Sequence, residues 1–213
     1  MAENSLIDWT THTWNPWRGC TKVAAECASC YIGRELRRYN KMENPFAGPE
    51  RQKSVWNEPA RWNRQAEAKG EPHKVFCLSV SDFFHDGADA WRDDAWDVIR
   101  NCPWLDWQIL TKRPDLAADR FPDDWGRGWP HVWLGVTCGD PGSMWRVDEL
   151  KRLKAKTKFI SAEPLLQRVN FGARLRGIDW VITGGEKIGV GEGRSMDLDW
   201  VRDIDQQCQK YNV

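Results

Sequence analysis

Val75-Phe76-Cys77-Leu78-Ser79-Val80, followed at once by Ser81-Asp82-Phe83-Phe84-His85, sets the pattern of this chain: a short apolar run that ends in polar chemistry. The run is too short and too β-branched for a buried helix. Its hydrophobicity is continuous instead of alternating, as in a strand covered on both faces. Four further runs repeat the pattern: Trp107-Gln108-Ile109-Leu110, Val132-Trp133-Leu134-Gly135-Val136, Phe159-Ile160-Ser161 and Trp180-Val181-Ile182. Helix-like segments lie between and after them, over 30–39, 88–101, 144–153 and 198–211, with Asp197 or Asp199 as a cap for the last. This alternation predicts repeated βα units, an α/β fold with mostly parallel strands.

The chain of 213 residues is 41% apolar, enough for one substantial core, and we expect a single domain over 1–213. The polar stretch 40–72 breaks the rhythm and reads as an insertion after the first helix, while 120–130 and 184–195 read as loops. Lys and Arg together number 31, as do Asp and Glu, so no overall field draws the protein onto a polynucleotide or an anionic membrane. No apolar run is long enough to cross a bilayer, and Met1-Ala2-Glu3-Asn4-Ser5 does not open like a signal peptide, so a cytoplasmic location is expected. Fifteen Trp suit a core, base-stacking platforms or plain space filling, and their number does not choose among these.

Each apolar run leads into groups that do chemistry. Leu110 precedes Thr111-Lys112-Arg113-Pro114, Val136 precedes Thr137-Cys138-Gly139-Asp140, Ser161 stands just before Glu163-Pro164, and Ile182 precedes Thr183-Gly184-Gly185-Glu186. In parallel α/β sheets ligands gather at the carboxyl ends of the strands, so these segments are expected to line one rim. Taken singly, Thr111 and Thr183 read as helix caps, and Lys112 or Arg113 as solvated loop charges. Asp82 and His85 alone are a weak metal signal. The two glycines before Glu186 suit either a tight turn or a close backbone approach to a ligand.

Cys20, Cys27 and Cys30 fall within one short stretch near the amino terminus. In a reducing compartment close thiols point to metal, and three of them leave one corner of a metal centre open. Cys77, Cys102, Cys138 and Cys208 are scattered among apolar neighbours and read as small buried hydrophobes. A closed zinc site, with His12 as fourth ligand in a binding or adaptor module without catalysis, is the rival reading. A hydrolase or transferase built on Asp82, His85 and Glu163 is a third, and it leaves the cysteines without a role.

The blocks Trp9-Thr10, Thr13-Trp14-Asn15-Pro16, Gly19-Cys20-Thr21-Lys22-Val23 and Cys27-Ala28-Ser29-Cys30-Tyr31 resemble a three-Cys-motif family of phages and bacteria placed among radical S-adenosylmethionine (SAM) proteins. Further blocks match in order, from Ser81-Asp82 through Thr111-Lys112-Arg113-Pro114 and Glu163-Pro164-Leu165 to Gly184-Gly185-Glu186, so the resemblance covers nearly the whole chain. Spore photoproduct lyase-like radical SAM enzymes are more distantly similar.

The resemblance implies a partial (β/α)6 TIM-like barrel and a [4Fe-4S] cluster on Cys20, Cys27 and Cys30, with SAM at the fourth iron. It implies reductive cleavage of SAM to a 5′-deoxyadenosyl radical and a reducing partner such as flavodoxin or ferredoxin. Ser81 and Asp82 are then expected near the SAM amino group, Thr111 and Lys112 near its carboxylate or ribose. Tyr31, Glu163 and Glu186 are further cofactor-binding candidates. Family members continue past the last helix into another strand, so an open barrel, or one completed by a partner protein, is expected. Phage occurrence, the Trp-rich loops and Arg34, Arg37, Arg38, Arg51, Arg61 and Arg64 suggest a nucleobase, nucleotide or nucleic acid as substrate.

Overall fold

The computed structural model describes residues 3–38, 41–187 and 193–213. In chain order its regular elements are β1 (His12–Trp14), β2 (Trp17–Arg18), α1 (Ile32–Arg38), β3 (Glu50–Arg51), α2 (Glu58–Lys69), β4 (His73–Cys77), α3 (Asp89–Arg100), β5 (Leu105–Thr111), β6 (Val132–Thr137), α4 (Trp145–Arg152), β7 (Thr157–Ala162), β8 (Trp180–Thr183) and α5 (Leu198–Tyr211). Six strands form one sheet in the order β1-β4-β5-β6-β7-β8, every neighbouring pair parallel, while β2 and β3 make a separate antiparallel ribbon. The α/β expectation holds. The order follows the chain, as in a barrel, but β1 and β8 do not pair and the sheet stays open.

The continuous apolar runs have a plain cause, for the sheet is covered on both faces. Val75, Trp107, Ile109, Val132, Leu134, Val136 and Ile160 join the main core, with Trp96, Ile99, Val147 and Leu150 from the helices. On the other face the register aligns Phe76 with Gln108 and Gln108 with Trp133, and Phe159 with Trp180. Trp9 lies against this second face, its ring 4.6 Å from Phe76 on one side of the opening and 6.2 Å from Trp180 on the other. Gln108 Nε2 donates to the Trp9 carbonyl at 3.2 Å and holds it there. Gly135 is required, because a Cβ would collide with the Phe159 ring.

Trp14, Trp17, Trp62, Trp96 and Trp107 are fully buried, so much of the Trp excess is core. The stretch 40–72 is not a plain insertion: it carries α2, which buries Pro59, Trp62 and Ala66 and ends at Gly70 in the left-handed conformation (φ 67°). Two well-spaced apolar residues, Trp62 and Ala66, are too thin a stripe to announce a helix among so many charges. β1 was hidden for a similar reason, since only one of His12-Thr13-Trp14 is apolar. Asp197 caps α5 as expected, accepting the Asp199 N–H at 2.8 Å. Tyr39, the expected end of the first helix, lies outside the described residues. No described helix is long and apolar enough to cross a membrane.

His12 sits at the amino-terminal end of the sheet, stacked on Trp62 at 4.5 Å, its Nε2 3.1 Å from His73 Nδ1. Burial and then His73 hold its pKa down at about 4. An unfolded chain takes up that proton near pH 6.5. Stability is therefore complete above that pH and falls as the pH drops from about 6.5 toward 4, the window in which only the unfolded state binds the proton. Urea midpoints should decline between pH 7 and 4.5, and His12→Gln should flatten the decline. Equal slopes in the two proteins would remove His12 from the account.

Candidate functional site

At Cys77 the extended chain stops. Leu78 takes φ +66°, rare for a non-glycine residue, and donates its N–H to the Trp14 carbonyl at 2.8 Å. Asn15 Oδ1 then accepts the Val80 N–H at 3.1 Å, and Tyr31 Oη donates to the Ser79 carbonyl. Gly19 donates its N–H to Val80 O at 3.0 Å, while Ser81 Oγ donates to Gly19 O. Gly19 has φ +86°, and a Cβ there would collide with the Gly48 carbonyl, so only glycine fits. These contacts lace the exits of β1 and β4 to the cysteine loop.

Asp82 is the hub. Its Oδ1 accepts the Phe84 N–H at 3.0 Å and the Thr111 hydroxyl at 2.7 Å. Its Oδ2 accepts the Lys112 N–H at 2.9 Å and lies 3.2 Å from Arg113 Nη1. Arg113 carries the connection onward: Nη2 donates to Thr21 O at 2.9 Å and Thr21 Oγ1 at 2.8 Å, and Nη1 stands 3.6 Å from Cys20 Sγ. His85 completes the cluster, its Nε2 3.1 Å from Thr21 Oγ1 and its Nδ1 accepting the Gly87 N–H at 3.0 Å. Burial and then Arg113 lower the His85 pKa, against the pull of Asp86, whose Oδ1 stands 2.9 Å from Nδ1.

A second charge pair fixes the far side of the loop. Arg146 on α4 donates from Nη1 to Glu26 Oε1 at 3.0 Å and to Thr137 O at 2.9 Å. Among the ion pairs of the described residues, Asp82–Arg113 and Glu26–Arg146 are those with both side chains under a tenth exposed. Both end on the cysteine loop.

The three thiols are free of disulfides. Cys20 and Cys30, together with Val80, pack against Ile32, Leu36 and Met42, and the Cys30 N–H donates to Cys27 O at 3.4 Å. Burial raises the Cys20 thiol to about 11, with Asp82 adding to the rise, and burial also raises Cys30. Among the described residues no group of three or more His, Cys, Asp or Glu is arranged to hold a metal ion. The loop thus collects the thiols without setting them as a finished coordination site.

The remaining candidates divide sharply. Thr111 is spent inside the hub, donating to Asp82 and accepting the Arg113 N–H at 2.9 Å. Glu186 is also spent, because both of its oxygens bind Arg194 across the ends of the glycine loop. Lys112 differs: its Nζ donates to Thr137 Oγ1 at 3.3 Å and has no carboxylate partner among the described residues. Glu163 is exposed beside Gly184, where a Cβ would come within 2.9 Å of its Oε1.

His12 is engaged elsewhere: its Nδ1 accepts the Asn4 N–H at 3.3 Å, and its Nε2 faces Nδ1 of His73, the first residue of β4, at 3.1 Å. Glu26, Thr21 and Arg146 were missed in the sequence. Arg113, read there as a solvated charge, is buried. No local signal marks them, since each acts through a partner far along the chain.

The chain belongs to the family described as "Protein of unknown function (DUF5131)", whose model matches residues 4–213. No curated protein and no solved structure matches it.

Removing one partner of a buried, hydrogen-bonded ion pair costs about 3–5 kcal/mol, against less than about 1 for an exposed pair. Asp82→Ala should therefore lower the urea-unfolding free energy by about 3–5 kcal/mol. Glu149→Ala, which frees the exposed Arg152, should cost under about 1 kcal/mol. Similar losses in the two variants would deny the hub its place.

Proposed function

We propose that this DUF5131 protein is a radical SAM enzyme on an open, TIM-like half-barrel, with Cys20, Cys27 and Cys30 holding a [4Fe-4S] cluster. The observation that carries the reading is the loop itself: three unbridged thiols at the carboxyl edge of a parallel sheet, tied down by the two buried ion pairs. The donor set fits such a cluster in kind, soft sulfur and one ligand short of closure. Arg113 Nη1 also stands 3.6 Å from Cys20 Sγ, where it can donate to a cluster sulfur. The raised thiol pKa values mean that loading releases protons.

When bound, the cluster supplies the electron that cleaves SAM to a 5′-deoxyadenosyl radical. The protein's own residues bind and orient. Lys112, half-buried and without a carboxylate partner, suits the carboxylate of an amino-acid ligand. Asp82 does not suit its ammonium, because four protein donors already surround that carboxylate. Glu163 is the strand-end carboxylate with fewer protein partners, the Trp9 side chain being its hydrogen-bond donor, and it is the one we assign to that role. Ser81, Thr111 and Tyr31 act at one remove, by holding the loop and the strand exits that place these groups.

Neither alternative draws comparable support. A zinc site completed by His12 would need a ring whose two nitrogens are engaged at the other end of β4. A hydrolase built on Asp82, His85 and Glu163 would have to work with an Asp82 that already accepts four protein donors, and it leaves the three cysteines without a role.

Anaerobic loading with iron and sulfide should give a coloured protein that, once reduced, converts SAM to 5′-deoxyadenosine. Cys30→Ala should lose colour and product, and Cys208→Ala should keep both. Lys112→Ala should keep the colour and weaken SAM binding about 10- to 100-fold, the value of one charge-assisted contact. A colourless wild-type protein holding stoichiometric zinc would refute the reading.

A further inference from the structure

Beside Cys30, and outside the hub, lies a pocket of about 690 Å³. Its lining includes Lys22, Arg34, Arg37, Arg38 and Phe46, and no acidic residue. The volume is that of a site for a small organic ligand. Arg34, Arg37 and Arg38 stand three and four positions apart on α1, which places them on one helix face. Lys22 belongs to the cysteine loop, donates from Nζ to the Ala28 carbonyl at 2.9 Å, and lies 4.7 Å over the Phe46 ring. That ring is seated directly on the helix backbone, since a Cβ on Gly33 would come within 2.8 Å of it.

Of the four cations that line this pocket, Lys22, Arg34 and Arg37 call for a counter-charge. Arg34, itself exposed, has a 3.5 Å contact to half-buried Glu35, and Arg37 has no carboxylate partner among the described residues. By contrast Arg51 and Arg61, which look equally basic in the sequence, are occupied by Asp94 and by Glu3 and Glu58. SAM is a poor occupant: its sulfonium and ammonium are both cations, and it has no phosphate. Planar guanidinium forks with donors to spare are suited to phosphate oxygens, and Phe46 provides an apolar wall beside them.

We infer that this pocket binds the phosphate of the substrate, a nucleotide either free or within a single strand, and holds it against the Cys30 end of the cysteine loop. As a statement about substrate the inference rests on the radical SAM reading; as a binding site it is tested without it. The small number of cations, and the balanced charge elsewhere, fit contact with a few phosphates and not a long tract.

The test uses the full chain without iron, a short dye-labelled single-stranded DNA as probe, and a nucleoside triphosphate as competitor. With three or four phosphate contacts, log K should fall with log salt at a slope of about −2 to −3. Arg34→Gln with Arg37→Gln should weaken binding at least about tenfold at low salt and reduce the slope by about 1.4, or 0.7 per contact. Arg202→Gln, an exposed change on α5, should leave both unchanged. Displacement by micromolar triphosphate assigns the pocket to free nucleotides, and resistance to it assigns the pocket to a strand. If neither probe binds, or if the double variant binds like the wild type, the inference is overturned, while 5′-deoxyadenosine formation still judges the cluster separately. Intact phosphate binding without 5′-deoxyadenosine formation would keep the pocket and discard the cluster.

Discussion

The ion pair between Asp82 and Arg113 is the constraint on which the site depends. Two charges taken out of water cost several kcal/mol each, and the cost is offset only if nearly every donor and acceptor is matched. Here the carboxylate receives Thr111, the Phe84 and Lys112 N–H groups and Arg113, while the guanidinium spends its other end on Thr21 and Cys20. A hub so fully satisfied has one low-energy arrangement. It locks together the exits of β4 and β5 and the first cysteine of the loop, three pieces far apart in sequence. Glu26 and Arg146 tie the middle of the loop to the exit of β6, less completely, since Glu26 Oε2 and Arg146 Nε are buried without a partner. Exposed pairs on the helices, worth less than about 1 kcal/mol each, contribute little to this geometry.

This frame explains why the polar strand ends fall into two kinds. Ser81, Asp82, Thr111 and Glu186 are consumed by protein partners and act as holders. Lys112 has no carboxylate partner among the described residues and Glu163 takes only the Trp9 side chain as a hydrogen-bond donor, while the unbridged thiols lie on the loop those holders fix. The proposed chemistry draws on this second set, with the arginines of α1 lying just beyond Cys30 to receive an anionic substrate. A carboxylate thus contributes most to the site where it binds no ligand at all.

Much of the fold was legible because a parallel sheet covered on both faces forces continuous apolar runs, and five such runs became β4 to β8. Strand β1 was not, since His12 and Thr13 break the run, His12 being buried through a hydrogen bond and ring stacking. Helix α2 was obscured by its charges. Within the site, the cysteines and the strand-end blocks could be read directly, but the division of labour could not. Asp82 and Glu163 are both acidic residues at strand ends, and what separates them is the number of donors that the fold brings to each, four to Asp82 and the Trp9 side chain to Glu163. Glu26 gave no signal because its partner, Arg146, is 120 residues away.

The most direct test of the central claim is the electron paramagnetic resonance spectrum of the iron-loaded, reduced protein with and without SAM. An iron left open by three cysteines must change its environment when SAM chelates it, so the signal should shift on addition of SAM, and Cys30→Ala should show no such signal. A cluster signal that SAM leaves unaltered would contradict the account.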